Sequence, residues 1–268
     1  MEGDSAHTTQ RTPPKSISKE DYIQMVGTLV NDLRQGPMRK LVFSRTISVS
    51  LPESWAIEES FENLLENRPN AFVYLLESDQ LGTWIGASPE VLLKGGNASY
   101  ETYSLAGTRP VGDDNWTEKE LEEQAMLSEF ISEVLDGFGD YTQAPLDQLQ
   151  AGNVQHLLNH FEFRLPKGEL PKLLGKLHPT PAVSGLPVGK AIEEIHAREG
   201  YSRDLYTGFI GEFELGQATN LYVNLRCAQI IGGEAIIYVG GGITEDSVPE
   251  NEWQETELKA ATMLHLLS

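Results

Sequence analysis

The chain has 268 residues, 40% of them hydrophobic and 22% charged, enough to bury a sizeable core in one large domain or two small ones. Forty acidic residues against twenty basic ones give a formal charge of −20, which argues against partners such as nucleic acid or anionic membranes. The one cysteine, Cys227, excludes an internal disulfide framework, and no apolar run approaches the ~20 residues needed to span a bilayer, so the expectation is a cytoplasmic protein.

Residues 1–17 are polar and Pro-containing and read as a mobile tail ahead of a unit covering 18–268. Ser18 with Asp21 resembles a capping box, and Tyr22, Val26, Leu29, Val30 and Leu33 keep helical spacing until Gly36-Pro37. "KLVFSRTISV", from Lys40, reads as a strand, and "WAIEESFENLLENRP" as a helix ending near Pro69. "AFVYLLE" and "TWIGAS" form a strand pair across "SDQLG", and "EVLLKGG" and "ASYETYSLAGT" continue the strand-rich pattern. Thr117 with Glu120 makes a second capping box, opening a helix to about Leu135. "NVQHLLNHFEFRL" fits a helix and a strand equally. "HPTPAVSGLP" is a loop fixed by proline and glycine, leading into a helix near "VGKAIEEIHARE". "YTGFIGEFEL" from Tyr206, "ATNLYVNLRCAQII" and "EAIIYVGGGI" are Gly-punctuated strands, and a last helix runs from about Pro249 to Leu267. Strand runs on short turns with irregularly interspersed helices argue an α+β fold.

Polar residues standing where the pattern wants apolar ones mark candidate sites. Glu123 shares a helical face with Leu127, Phe130 and Val134; Glu252 and Glu255 lie three apart, with Lys259 and Met263 on the same side. Each alone fits a solvated helix end or a surface ion pair. Together, three carboxylates from two helices would make an oxygen site suited to Mg²⁺. Lys40 alternates with Val42 and Ser44 and can face inward, Glu90 follows the constrained "GASP", and "VGGGI" offers closely approachable amides. His156 and His160 are spaced as in a zinc helix, but Leu157 replaces the expected glutamate, which favours core or substrate-contact roles. Cys227, inside a strand-like run, reads as packing.

"RKLVFSR", "GASPEVLL", "SLAGTRP", "VQHLLNHF", "HPTPAVSGLP", "RDLYTGFIG", "YVNLRCAQI", "YVGGGI" and "NEWQETELKAATML" resemble, in order and spacing, the motifs of the chorismate-utilising enzymes. That family includes anthranilate, aminodeoxychorismate, salicylate and isochorismate synthases. The resemblance runs from about Ser18 to the C-terminus and implies mainly antiparallel sheets with flanking helices in a single chorismate-binding catalytic domain. "HPTPAVSGLP" is similar to the loop of isochorismate synthases, and Ala106 stands where aminodeoxychorismate synthases carry a nucleophilic lysine.

By this resemblance, Lys40 is the base that activates water for attack at ring C2, and Glu90 the acid that protonates the departing C4 hydroxyl. It implies Glu123 and Glu255 as Mg²⁺ ligands, with Glu252 second or water-mediated. Tyr206, Arg226 and the Gly240 amide hold the enolpyruvyl carboxylate, and Gly107, Thr108 and His156 make further substrate contacts. A glutamate acting as acid must stay protonated, which requires a desolvated pocket. The activity favoured is Mg²⁺-dependent isomerisation of chorismate to isochorismate, serving menaquinone or siderophore synthesis, with no obligatory protein partner. Its alternatives are salicylate synthesis, an amine-adding synthase subunit, and a non-catalytic chorismate-binding member. Family members commonly have a longer N-terminal region that adds strands to the same sheets.

Overall fold

A computed structural model describes residues 12–112, 115–151, 154–213 and 218–267, and at 108, 110, 151 and 154 the backbone alone. Most of the expected tail, residues 1–11, lies outside this range. Helix α1 (Lys19–Gln35) starts at Ser18, whose side chain accepts from the Asp21 amide at 3.1 Å, and buries Tyr22, Val26, Leu29, Val30 and Leu33 as the spacing predicts.

Among the described residues the strands form two sheets, and every pairing is antiparallel. The first contains β1 (Lys40–Ser50), β2 (Phe72–Ser78), β3 (Gly82–Ser88), β9 (Gly185–Leu186), β12 (Cys227–Ile231) and β13 (Glu234–Ile243), in the order β2-β3-β12-β13-β1-β9. The second contains β4 (Val91–Gly96), β5 (Ser99–Pro110), β8 (Val154–Arg164), β10 (Phe209–Phe213) and β11 (Thr219–Val223), in the order β10-β11-β4-β5-β8. Two short strands, β6 (Tyr141–Gln143) and β7 (Asp147–Ala151), both pair with β8.

Helices cover each sheet because each sheet has one apolar face to bury. Helices α2 (Ile57–Asn67) and α6 (Pro249–Leu267) pack on the first sheet, burying Leu64, Ile85, Ile237 and Met263. Helices α3 (Glu118–Asp136) and α4 (Leu170–Leu177) pack on the second, over Leu93, Phe161 and Leu221. Helix α5 (Val188–Arg198) and α1 cover the start of β1. A further cluster of Tyr74, Trp84, Tyr206, Ile236 and Tyr238 takes in Ile210 of the second sheet, and Phe72 stacks on Tyr222 at 5.1 Å, so the sheets pack together there. Cys227 is buried in this cluster, as its strand position suggests. No described helix is long and apolar enough to cross a membrane.

Two segments depart from the periodicity reading. "VQHLLNHFEFR" is strand β8: Leu157, Asn159, Phe161 and Phe163 are buried, and the residues between them are not, a period of two. "ATNLYVNLRCAQII" is two strands, β11 in one sheet and β12 in the other, separated by Asn224–Arg226. Both halves are largely buried, so apolar composition runs through a break it does not reveal. The chain makes the reverse crossing between β3 and β4, at Pro89–Glu90.

Candidate active site

The two crossings lie side by side. The Val223 amide donates to the Glu90 carbonyl at 2.9 Å, and the Ala87 amide to the Arg226 carbonyl at 3.1 Å. Arg226 takes a φ of +49°, a left-handed conformation uncommon for a residue with a side chain. Buried Asn224 fixes the crossing: its Oδ1 accepts from the Tyr74 hydroxyl at 2.8 Å, and its Nδ2 donates to the Leu205 carbonyl at 2.9 Å. The Leu225 amide donates to Ser88 Oγ at 3.2 Å, and the Thr207 amide to the Asn224 carbonyl at 2.9 Å. The segment bearing Tyr206 is thereby tied to both crossings. Tyr206 is buried and stacks on Tyr238 with ring centroids 5.5 Å apart.

Lys40 opens β1 beside the proline–glycine loop, which ends in β9 and pairs with it. The Arg39 amide donates to the Leu186 carbonyl at 2.8 Å and the Val42 amide to the Ser184 carbonyl at 2.9 Å. Gly185, at φ +134°, lies so close that a Cβ would meet the Lys40 carbonyl oxygen at 2.3 Å, so only glycine fits. The loop is therefore the wall that holds Lys40, which is buried. On the other side of β1, a Cβ at Gly242 would meet Lys40 Cε at 2.6 Å, and one at Gly240 would meet the Tyr206 hydroxyl at 3.1 Å. The "VGGGI" run leaves out side chains where those of Lys40 and Tyr206 need the space.

The electrostatics set Glu90 apart. Desolvation raises its pKa from 4.5 to about 7, against the opposing pull of Lys40, Arg226 and Lys259. Burial lowers the pKa of Arg226, partly offset by Tyr206, Glu255 and Glu90. Lys40 and Arg226 both act on Glu90, and Tyr206 on Arg226, so these four residues are electrostatically linked around a carboxyl group poised near neutrality.

The acidic candidates approach β13 from the helix side. A Cβ at Gly241 would meet Glu252 Oε2 at 3.2 Å and Glu255 Oε1 at 3.9 Å, and strand alternation puts this on the face opposite Lys40. Lys119, on the first turn of α3 and four residues before Glu123, reaches Glu252 Oε1 at 3.3 Å. Lys259 donates to the Gly240 carbonyl at 2.9 Å and pairs with Glu255 Oε1 at 2.6 Å. Burial raises the pKa of Glu252 despite Lys119 and Ser247; for the half-exposed Glu255, partial desolvation is outweighed by Lys259, Lys119 and Lys40, which hold it below the usual range. Although Lys119 is itself partly desolvated, Glu252, Glu123 and Glu255 together raise its pKa.

The ligand atoms of Glu123, Glu252 and Glu255 do not all lie within 4.8 Å of one another; among the described residues only Glu101, His160 and Glu162 form such a group. Two of the carboxylates are each paired with a lysine, Glu252 with Lys119 and Glu255 with Lys259. The donor set nevertheless fits a hard divalent cation: all oxygen, and Glu252 Oε2 is buried with no hydrogen-bond partner.

His156 Nδ1 lies 3.2 Å from the Gly107 carbonyl, and burial lowers its pKa. Gly107 sits at φ +65° in a register break of β5, where glycine is needed. The Thr108 side chain lies outside the described residues. His160 is part-buried, pairs with Glu101 at 3.0 Å and stacks on Tyr103. On a strand, residues four apart are roughly 13 Å apart, so His156 and His160 cannot share a metal.

The sequence reading missed two groups. Arg203, in the same "RDLYTG" stretch as Tyr206, donates to Glu199 at 2.8 and 2.5 Å, to the Val183 carbonyl at 2.8 Å and to the Val42 carbonyl at 2.7 Å. Glu199 also accepts from the Ser44 amide and hydroxyl, each at 2.7 Å. One buried ion pair thus joins the proline–glycine loop, β1 and the Tyr206 segment. The other is Lys119, whose signal was its i,i+4 spacing from Glu123.

A family profile described as "Chorismate binding enzyme" matches residues 2–268. The chain belongs to this family. It is 28% identical over 277 residues to the vibriobactin-specific isochorismate synthase of Vibrio cholerae, covering 97% of this chain and 70% of that protein. It is 29% identical to anthranilate synthase component 1 of Methanothermobacter thermautotrophicus, covering 97% and 59%. The fold matches MenF, the menaquinone-specific isochorismate synthase from Escherichia coli, with a TM-score of 0.84 at 27% identity, covering 96% of this chain and 63% of that one. The chain thus spans between about three-fifths and seven-tenths of these relatives' lengths. Both synthase types match at the same level of identity, so the choice between them falls to the site residues.

Proposed function

We propose that this chain is an isochorismate synthase, interconverting chorismate and isochorismate by attack of water at ring C2 and loss of the C4 hydroxyl. The observation that supports this reading is that Lys40 acts electrostatically on Glu90, whose pKa burial raises to about 7. In the forward direction Lys40, which must be the neutral amine for this step, takes a proton from water, and Glu90 gives its proton to the departing hydroxyl. The reverse reaction exchanges their roles. A lysine suited to activating water supports hydration over addition of ammonia.

Arg226 pairs with the enolpyruvyl carboxylate, with Tyr206 and the Gly240 amide beside it; Gly107, Thr108 and His156 make further substrate contacts. Glu123, Glu255 and Glu252 hold Mg²⁺, which when bound neutralises the ring carboxylate. The fixed loop 178–187 keeps Lys40 on one side of the ring. Residues 18–268 act as one catalytic domain in the cytoplasm, without an obligatory protein partner.

The test is incubation of the purified protein with chorismate, with and without Mg²⁺, and identification of the product. Isochorismate without pyruvate is expected, and only with the metal. Pyruvate release would make the chain a salicylate synthase, ammonium-dependent product would make it an amine-adding subunit, and binding without turnover would overturn the enzymatic reading.

A further inference from the structure

Glu252 is the most enclosed acid of the cluster, its side chain 3% exposed, and its nearest cation is Lys119, whose side chain is 40% exposed. An acid so enclosed needs a counter-charge; left without one it would neutralise or destabilise the fold. Lys119 pairs with Glu252 at 3.3 Å and lies one helical turn before Glu123 on the same helix. It rises from the first turn of a helix fixed by the Thr117–Glu120 capping box, so its backbone is anchored while its four-carbon side chain remains free to turn. An adjoining cavity of about 270 Å³ is lined by Lys119, by the acids Glu122, Glu123, Glu245 and Asp246, and by Arg34 and Arg39, so the acids outnumber the two arginines. A displaced ammonium has somewhere acidic to go.

We propose that Lys119 is a resident counter-cation of the Glu123/Glu252/Glu255 cluster, which a divalent cation must displace from Glu252 in order to bind. This rests on the metal reading of the cluster above. A lysine ammonium and a divalent cation compete for the same carboxylate oxygens. While Lys119 engages Glu252, the three acids stay too far apart to converge. When the metal arrives, Lys119 turns into the cavity beside Glu122, Glu245 and Asp246, and the acids close in. The device keeps a buried carboxylate satisfied in the metal-free protein and weakens the site's affinity.

The experiment is calorimetric titration of Mg²⁺ into the metal-free protein, without substrate, for wild type, Lys119→Met, Arg39→Met and Glu252→Gln, with thermal melting of each in EDTA. Lys119→Met is expected to tighten Mg²⁺ binding by roughly 10–100-fold, the range for loss of a competing charge-assisted hydrogen bond. It is also expected to melt below wild type in EDTA, with the gap closing in saturating Mg²⁺. Arg39 lines the same cavity and pairs with Glu129, so its removal controls for a change in overall field. Equal tightening by Arg39→Met, or unchanged or weaker binding by Lys119→Met, overturns displacement. Glu252→Gln separates the two levels. If it binds Mg²⁺ like wild type, the metal reading of this cluster has failed; if it loses binding while Lys119→Met is unchanged, only the role of Lys119 has failed.

Discussion

Replacing Glu90 by Gln should stabilise the fold at alkaline pH while abolishing turnover. In the folded protein this carboxyl titrates near about 7 instead of 4.5, chiefly because burial disfavours its charged form. Between pH 4.5 and about 7 the unfolded chain has released its proton and the folded chain still holds one, so stability falls as pH rises through that window. At about 1.4 kcal/mol per unit, the displacement corresponds to ~3 kcal/mol, and because Glu90 retains some solvent contact the expected loss is ~1–3 kcal/mol. Glutamine has the same shape and no charge to bury. Urea unfolding of both proteins from pH 4 to pH 9 measures the difference directly. The two should be about equally stable near pH 4, diverge between pH 5 and 7, and run parallel above about pH 8, with the variant more stable. Chorismate turnover by the wild type should fall over the same rise in pH, as the acid loses its proton. Stability differences that stay constant across the range would refute the reasoning, since Glu90 would then ionise alike in the folded and unfolded chains.

Arg203→Met should destabilise the fold by about 3–5 kcal/mol in urea unfolding, because it strands the buried Glu199 carboxylate; Arg203→Lys should recover part of that and still lower kcat, since an ammonium cannot bridge Val42, Val183 and Glu199 together. Arg226→Ala should weaken chorismate binding by ~1.5–3 kcal/mol, read as a raised KM and Kd, and an unchanged Kd would remove it from the substrate site. Lys40→Ala should bind chorismate near normally and lose roughly 10²–10⁴-fold in kcat in both directions; wild-type turnover would make the lysine structural.

Local pattern carried much of the architecture. The Ser18 cap, the Thr117–Glu120 capping box and the apolar spacing of α1 and α3 place those helices to within a residue or two of where they lie. Short strands such as β6 and β7 escaped because three to five residues on an edge carry too little periodicity to read. Helix α4 went unread behind a Gly- and Pro-containing approach, although Leu170, Leu173, Leu174 and Leu177 have helical spacing. The candidate site was legible as residue types out of place: a lysine in an apolar strand, acids on helix stripes, a run of three glycines. Its partnerships were not legible. Nothing local to Glu252 announces Lys119, 133 positions earlier, or joins Arg203 to Val42, 161 positions away.

The two sheet crossings explain why two of the candidate residues, Glu90 and Arg226, lie where the periodicity signal fails. Within a sheet, backbone groups are committed to neighbouring strands and side chains are committed to one face or the other. At a crossing the ladder stops, so the residue there is released from alternation and can turn its side chain into the gap between sheets. Glu90 and Arg226 occupy such positions on adjacent crossings, and the ladder bonds they would have made are replaced by the Val223–Glu90 and Ala87–Arg226 hydrogen bonds. That exchange keeps both crossings rigid without a regular strand. It also leaves the Glu90 carboxyl in a gap with little water, which raises its pKa toward the value a general acid needs at neutral pH. The same break in pattern that hides the crossings from the sequence therefore places Glu90 and raises its pKa, as the proposed role of general acid requires.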